Sequence, residues 1–151
     1  MAMRNLFESD AVAELKERMG RLQPDSVRQW GKMTPAQAMA HYATQMEMVL
    51  GRTFPPRSIL GRIFGRRAKA NILSEDPFPR NAPTDKYFLI MDQRDIDTER
   101  ERVRTLLDRF IRGGPAVCTK HPHSFFGPMT PAEWARLMYR HLDHHLRQFR
   151  V

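Results

Sequence analysis

The chain has 151 residues, 41% hydrophobic and 28% charged, a composition that excludes a wholly disordered polypeptide and supplies the core of one domain, not two. Lys plus Arg total 25 against 17 Asp plus Glu, and six of those cations (Arg52, Arg57, Arg62, Arg66, Arg67, Lys69) fall within 52–69 with no acid between them, leaving 19 against 17 elsewhere. No run reaches the roughly 18 uncharged apolar residues of a membrane span, residues 1–10 lack the apolar stretch of a signal peptide, and the single Cys118 cannot form an internal disulfide, so the expectation is a cytoplasmic protein with no membrane partner.

The first predicted helix covers about 10–22, with Val12, Leu15, Met19 and Leu22 on one face and Ser9 as its N-cap. A turn-rich connection containing Pro24, Asp25 and Gly31 follows. The second helix has an explicit start: Thr34-Pro35-Ala36-Gln37 places Thr at the N-cap, Pro at the first helical position and Gln at N3, a capping box. It is expected to run to about Leu50, ahead of Gly51 and Pro55-Pro56. Glu47 is the one formal charge from Thr34 to Leu50, and a helix so uncharged is normally surrounded by other helices.

Residues 57–73 suggest a short amphipathic helix through Ile59, Leu60, Ile63, Phe64 and Ala68, weakened by Gly61 and Gly65. The stretch 74–85 carries Pro77, Pro79 and Pro83 and reads as loop, and 87–91 is an apolar run compatible with extended chain. A third long helix is predicted over about 96–111 from Ile96, Val103, Leu106, Leu107, Phe110 and Ile111, ended by Gly113-Gly114-Pro115. The fourth opens on a second capping box, Thr130-Pro131-Ala132-Glu133, and continues to the C-terminus. These elements predict an all-α fold in a single domain, 1–151: a four-helix bundle with one long crossover between the second and third long helices.

Three of the six histidines lie in the last predicted helix. With His141 at zero and about 100° per residue, His145 falls near 40°, Trp134 near 20° and Met138 near 60°, while Arg136, Arg140, Asp143 and Arg147 gather between about 200° and 260°. His141 and His145 therefore share the buried face, with His144 on its flank. An i, i+4 histidine pair on a dry face fits two readings: satisfied core histidines, each bonded to a carbonyl, or two ligands of one metal ion. On the second helix His41 lies seven residues after Thr34, at a depth similar to that of His141 below Thr130, in a stripe with Gln37, Thr44, Gln45 and Met48. That stripe is polar but uncharged and suits the wall of a small cavity.

The combination of His41, His141-x-x-x-His145 and a following Arg147-Gln148 resembles the DinB-like (YfiT-like) superfamily. The strings Trp30-Gly31-Lys32-Met33-Thr34-Pro35 and Phe126-Gly127-Pro128, with Trp134 and the segment 141–149, are similar to one uncharacterised bacterial branch of it. The resemblance spans nearly the whole chain. It implies an antiparallel four-helix bundle with a divalent metal on three histidines, mapping onto His41, His141 and His145. Characterised relatives include transferases and isomerases that use bacterial low-molecular-weight thiols; many members have no assigned reaction, and some lack metal. The chain stops three residues after Gln148, which places His145 in a terminal turn expected to fray.

Three neutral imidazoles leave a cation such as Zn²⁺ or Ni²⁺ with open positions, able to lower the pKa of bound water to about 7 or to hold a thiolate. A hydrolase and a thiol S-transferase acting on a small molecule both follow, and these residues select neither. Gln37, Gln45 and Gln148 are candidates to orient a ligand imidazole or a substrate. Glu47 and Asp143 are general bases by residue type, although rotation puts Asp143 on the charged face. His121 and His123 read as a rigid approach to the last helix, and Cys118 lacks the partners of a nucleophile. Two rival functions remain: a nucleic-acid or anionic-surface binder using 52–69, and a non-catalytic bundle paired through its flat second helix as a homodimer. Nucleic acid is disfavoured, because only Phe54 and Phe64 interleave the cations and no nucleic-acid motif is present.

Overall fold

The structure, a computed structural model, describes residues 3–151. Five α-helices follow one another: α1 (Ser9–Gly20), α2 (Pro35–Val49), α3 (Ile59–Ile72), α4 (Ile96–Gly113) and α5 (Pro131–Gln148), with single 3₁₀ turns at Lys86–Phe88 and Gly114–Val117. No strand occurs among the described residues, and 87–91, compatible in sequence with extended chain, begins as a 3₁₀ turn in which Asp85 accepts from the Tyr87 amide. No described helix is long and apolar enough to cross a membrane.

Both predicted capping boxes form. The Thr34 hydroxyl accepts from the Gln37 amide while the Gln37 side chain accepts from the Thr34 amide, and Thr130 and Glu133 repeat the exchange. The start of α1 differs from expectation. Ser9 is already helical, and Glu8 occupies the cap position without a side-chain bond. The turn ahead of it is held instead by Asn5, whose side chain bonds the Phe7 amide and the Glu8 carboxylate.

Helix α2 packs along α4 in the most extensive helix pair; α1 lies against α5 and α4, and α2 also meets α5. Trp134, Tyr42 and Phe110 are the largest fully enclosed side chains. Most of α2 is buried by its own chain, as its near lack of charge predicts. On α4, Ile111 is exposed, unlike the rest of its expected face.

Helix α3, where the sequence suggests a short amphipathic helix, is a complete 14-residue helix within the connection from α2 to α4 and brings the number among the described residues to five. Its glycines are the reason it sits where it does. A Cβ on Gly61 would stand 2.6 Å from the Phe125 carbonyl oxygen, and one on Gly65 closer still. Gly61 and Gly65 thus let the backbone ahead of α5 lie directly on α3, aided by the bond from the Ser58 amide to the Ser124 carbonyl and by the Lys69–Glu133 ion pair at 3.1 Å. The residues read as weakening the helix are those that dock it.

The expected fraying of the last turn is also corrected. The Val151 amide donates to the Leu146 carbonyl, and the Arg18 guanidinium donates to the Val151 carbonyl at 3.0 and 3.2 Å. Arg18 additionally pairs with Asp143 at 2.7 Å, so α1 clamps the end of α5.

The docking of α3 makes a prediction opposite in sign to helix propensity. Gly65→Ala should gain up to about 1 kcal/mol as a helix substitution, yet overpacking against Phe125 is expected to cost about 1–3 kcal/mol net. Chemical denaturation of the variant distinguishes the two signs.

Candidate metal centre

His41 projects from the middle of α2, and His141 and His145 from successive turns of α5; the three rings are 5%, 5% and 6% exposed. They converge through their Nε2 atoms. His41 Nε2 lies 3.2 Å from His141 Nε2, which lies 3.0 Å from His145 Nε2. One ligand nitrogen from each ring falls within 4.8 Å of the other two, so the three histidines lie close enough together to hold one metal ion.

The outer nitrogens settle where the protons are. His41 Nδ1 sits 2.7 Å from the Phe88 carbonyl oxygen, which can only accept, so Nδ1 carries the hydrogen and Nε2 the bare lone pair. His145 Nδ1 lies 2.9 Å from Gln148 Oε1. The orientation of that amide is set by its other end, where Gln148 Nε2 donates to the Trp30 carbonyl at 2.8 Å. His145 therefore also presents a bare Nε2. Two lone pairs face His141 Nε2, which can supply at most one hydrogen between them.

That arrangement fits a cation. For metal–nitrogen bonds of about 2.0–2.1 Å, neighbouring ligand nitrogens stand about 3.3 Å apart in a tetrahedral site and about 3.0 Å in an octahedral one. The observed 3.0 and 3.2 Å lie in that range. Burial keeps the rings neutral, as ligation requires. Desolvation lowers His41 below its ordinary value, with the Phe88 bond opposing it, and drives His145 down to about 3. His141 falls well below the usual range, first by burial and then by its histidine neighbours.

Aromatic groups enclose the cluster. The half-buried Phe78, from the proline-rich connection, stacks parallel to His141 with centroids 5.8 Å apart, and Tyr42 meets the same ring edge-on. His144 stays outside the triad, between Phe78 and Trp30, its Nε2 accepting from Trp30 Nε1 at 3.4 Å. The Arg80 guanidinium lies 4.2 Å over the Trp30 ring.

The three glutamines separate. Gln148 orients His145, and Gln45 Nε2 stands 3.4 Å from His41 Nε2. Gln37 is engaged elsewhere: its oxygen completes the α2 cap, and its nitrogen donates to the Asp92 carbonyl at 3.0 Å. Both carboxylates named as bases by type are held in ion pairs, Glu47 with Arg102 and Asp143 with Arg18 and Arg147. His123 is buried with Nδ1 accepting from the Phe125 and Phe126 amides, which shapes the approach to α5, while His121 meets the Pro55 carbonyl. Burial raises the Cys118 thiol to about 11, away from a reactive thiolate. The Phe88 carbonyl and Phe78 had no sequence signal beyond an aromatic residue among prolines.

A family model described as the DinB superfamily matches residues 4–149. The chain belongs to the DinB superfamily. No curated protein and no solved structure matches it. Within this DinB-superfamily chain, the segment ahead of α2 serves the site through backbone geometry. Gly31 has φ +74°, and a Cβ there would stand 2.7 Å from Gln148 Nε2.

Two outcomes follow from this geometry. Gly31→Ala is expected to displace the Gln148 amide, release the His145 tautomer and weaken Zn²⁺ binding by about 10–100-fold, read by calorimetric titration. The metal-free protein is expected to lose stability as pH falls. The unfolded histidines take up protons near 6.5, whereas His144, His145 and His123 wait until about 4, 3 and 3. From about pH 6.5 to 3 the unfolded chain thus binds more protons, and the slope reaches about 1.4 kcal/mol per pH unit for each such ring. Urea midpoints measured across that window test the direction.

Proposed function

We propose that this DinB-superfamily chain is a divalent-metal enzyme acting on a small molecule, with Zn²⁺ or Ni²⁺ held by His41, His141 and His145 in a four-helix core of α1, α2, α4 and α5. The observation that carries the reading is the pair of accepting oxygens, Phe88 O and Gln148 Oε1, that turn the bare Nε2 atoms of His41 and His145 toward His141. When bound, such a cation with an open position lowers the pKa of a coordinated water or thiol.

Of the two reactions, thiol S-transfer is better supported than hydrolysis. Both carboxylates that could act as general base are committed to arginines, and the groups around the triad are aromatic rings, imidazole and amide. A low-molecular-weight thiol entering as the ionised nucleophile needs no carboxylate partner at the moment of reaction. Gln45 is the amide placed to contact a group beside His41, and the His144 ring borders the cluster edge-on to His145. Phe78, stacked on His141, excludes water from that side of the site.

Protein purified without an affinity-metal column is expected to carry about one metal per chain by elemental analysis, lost in His41→Ala and His141→Ala variants that keep their helical circular dichroism. Folded, metal-free protein that also fails to take up added Zn²⁺ or Ni²⁺ would overturn the reading. A screen of electrophilic small molecules with and without bacterial thiols then separates transfer from hydrolysis, because only transfer requires the thiol.

A further inference from the structure

Helix α3 is docked back to front with respect to hydrophobicity. With Ile59 at zero, Gly61, Ile72 and Gly65 fall near 200°, 220° and 240° and form the buried side, while Ile59, Ile63, Leu60 and Phe64 spread from 0° to about 140°. Those four stand 77%, 66%, 62% and 56% exposed. Arg62 and Arg66 border this arc near 300° and 340°, and Arg67 lies inside it near 80°. All three arginines are exposed, and none has an ion-pair partner among the described residues. An apolar patch edged by cations, on a helix that docks through Gly61 and Gly65, is not explained by the fold.

We infer that α3 is a surface anchor that lies on an anionic lipid bilayer. The ligand must supply both negative charge and a medium for aliphatic side chains. A nucleic acid would pair with the arginines but leave Ile59, Leu60 and Ile63 in water, since aliphatic groups do not stack on bases. A second copy meeting this face about a two-fold axis would bury Arg67 of each copy in the contact, with no acid on the patch to pair it. An apolar groove on a protein would have to desolvate Arg67 in the middle of its contact. At a bilayer interface the Arg67 stem enters the acyl region while its guanidinium stays with the phosphates. The expectation of no membrane partner rests on the lack of a spanning segment, which bears on crossing a bilayer and not on lying along its surface.

The test is co-sedimentation of the whole protein with phosphatidylcholine vesicles that contain or lack about 30% phosphatidylserine, at low and high salt. Capture by the anionic vesicles alone, weakened by salt, is the expected result. Arg62→Gln/Arg66→Gln/Arg67→Gln should lower partitioning by about a hundredfold, and Ile59→Ser/Ile63→Ser by about tenfold or more. All five positions are exposed, and circular dichroism checks that both variants keep their helices. Failure of the anionic vesicles to capture the protein at low salt overturns the proposal. So does capture indifferent to the isoleucine substitutions, which would be simple adsorption, or sedimentation analysis showing that the same isoleucines hold a dimer.

Discussion

The centre depends on two oxygen atoms that can only accept a hydrogen bond. The Phe88 carbonyl and Gln148 Oε1 hold the Nδ1 protons of His41 and His145, and by doing so aim two unprotonated nitrogens at the space beside His141. A buried imidazole is free to protonate either nitrogen, and a cluster of three left to itself could shuffle its hydrogens into an internally bonded core. The outer bonds remove that freedom. What is left is a convergence of electron pairs in a dry place, which is costly without a positive charge and well suited to one.

Helix α2 sustains this arrangement in a way that joins its cap to its ligand. Gln37 and His41, one turn apart, each reach the backbone of the connection that follows α3, at Asp92 and Phe88 respectively. Gln37 therefore has a positional role unlike the one its place in the stripe suggested. The cap consumes its oxygen, and its nitrogen secures the segment whose carbonyl sets the His41 tautomer. At the other end Arg18 and the Leu146 carbonyl fasten the last residues beneath His145. The site is thus braced by contacts from parts of the chain far from its ligands.

What the sequence disclosed follows the range of the interactions concerned. The capping boxes, the buried face of α5 and the shared depth of His41 and His141 depend on residues within one or two turns, and all were legible. The five-helix architecture was only partly so. Periodicity showed that 57–73 could be amphipathic but could not say which side meets the protein, and the docking side proved to be Gly61 and Gly65 rather than Ile59 and Ile63. Phe78 over His141, Trp30 beside His144 and the carbonyl of Phe88 are long-range pairings with no local pattern to announce them. The carbonyl is the extreme case, because every residue type brings one.

That last property shapes how this protein can change over time. A main-chain oxygen is the same whatever side chain stands beside it, but Phe88 is itself buried in the core, so the oxygen keeps its place only while an apolar residue fills that space. An inserted or deleted residue between α3 and α4 would carry a different carbonyl to the ring, or none. The connection is thereby held to a fixed length and to a greasy anchor at one point along it, while its remaining exposed positions are left open to change.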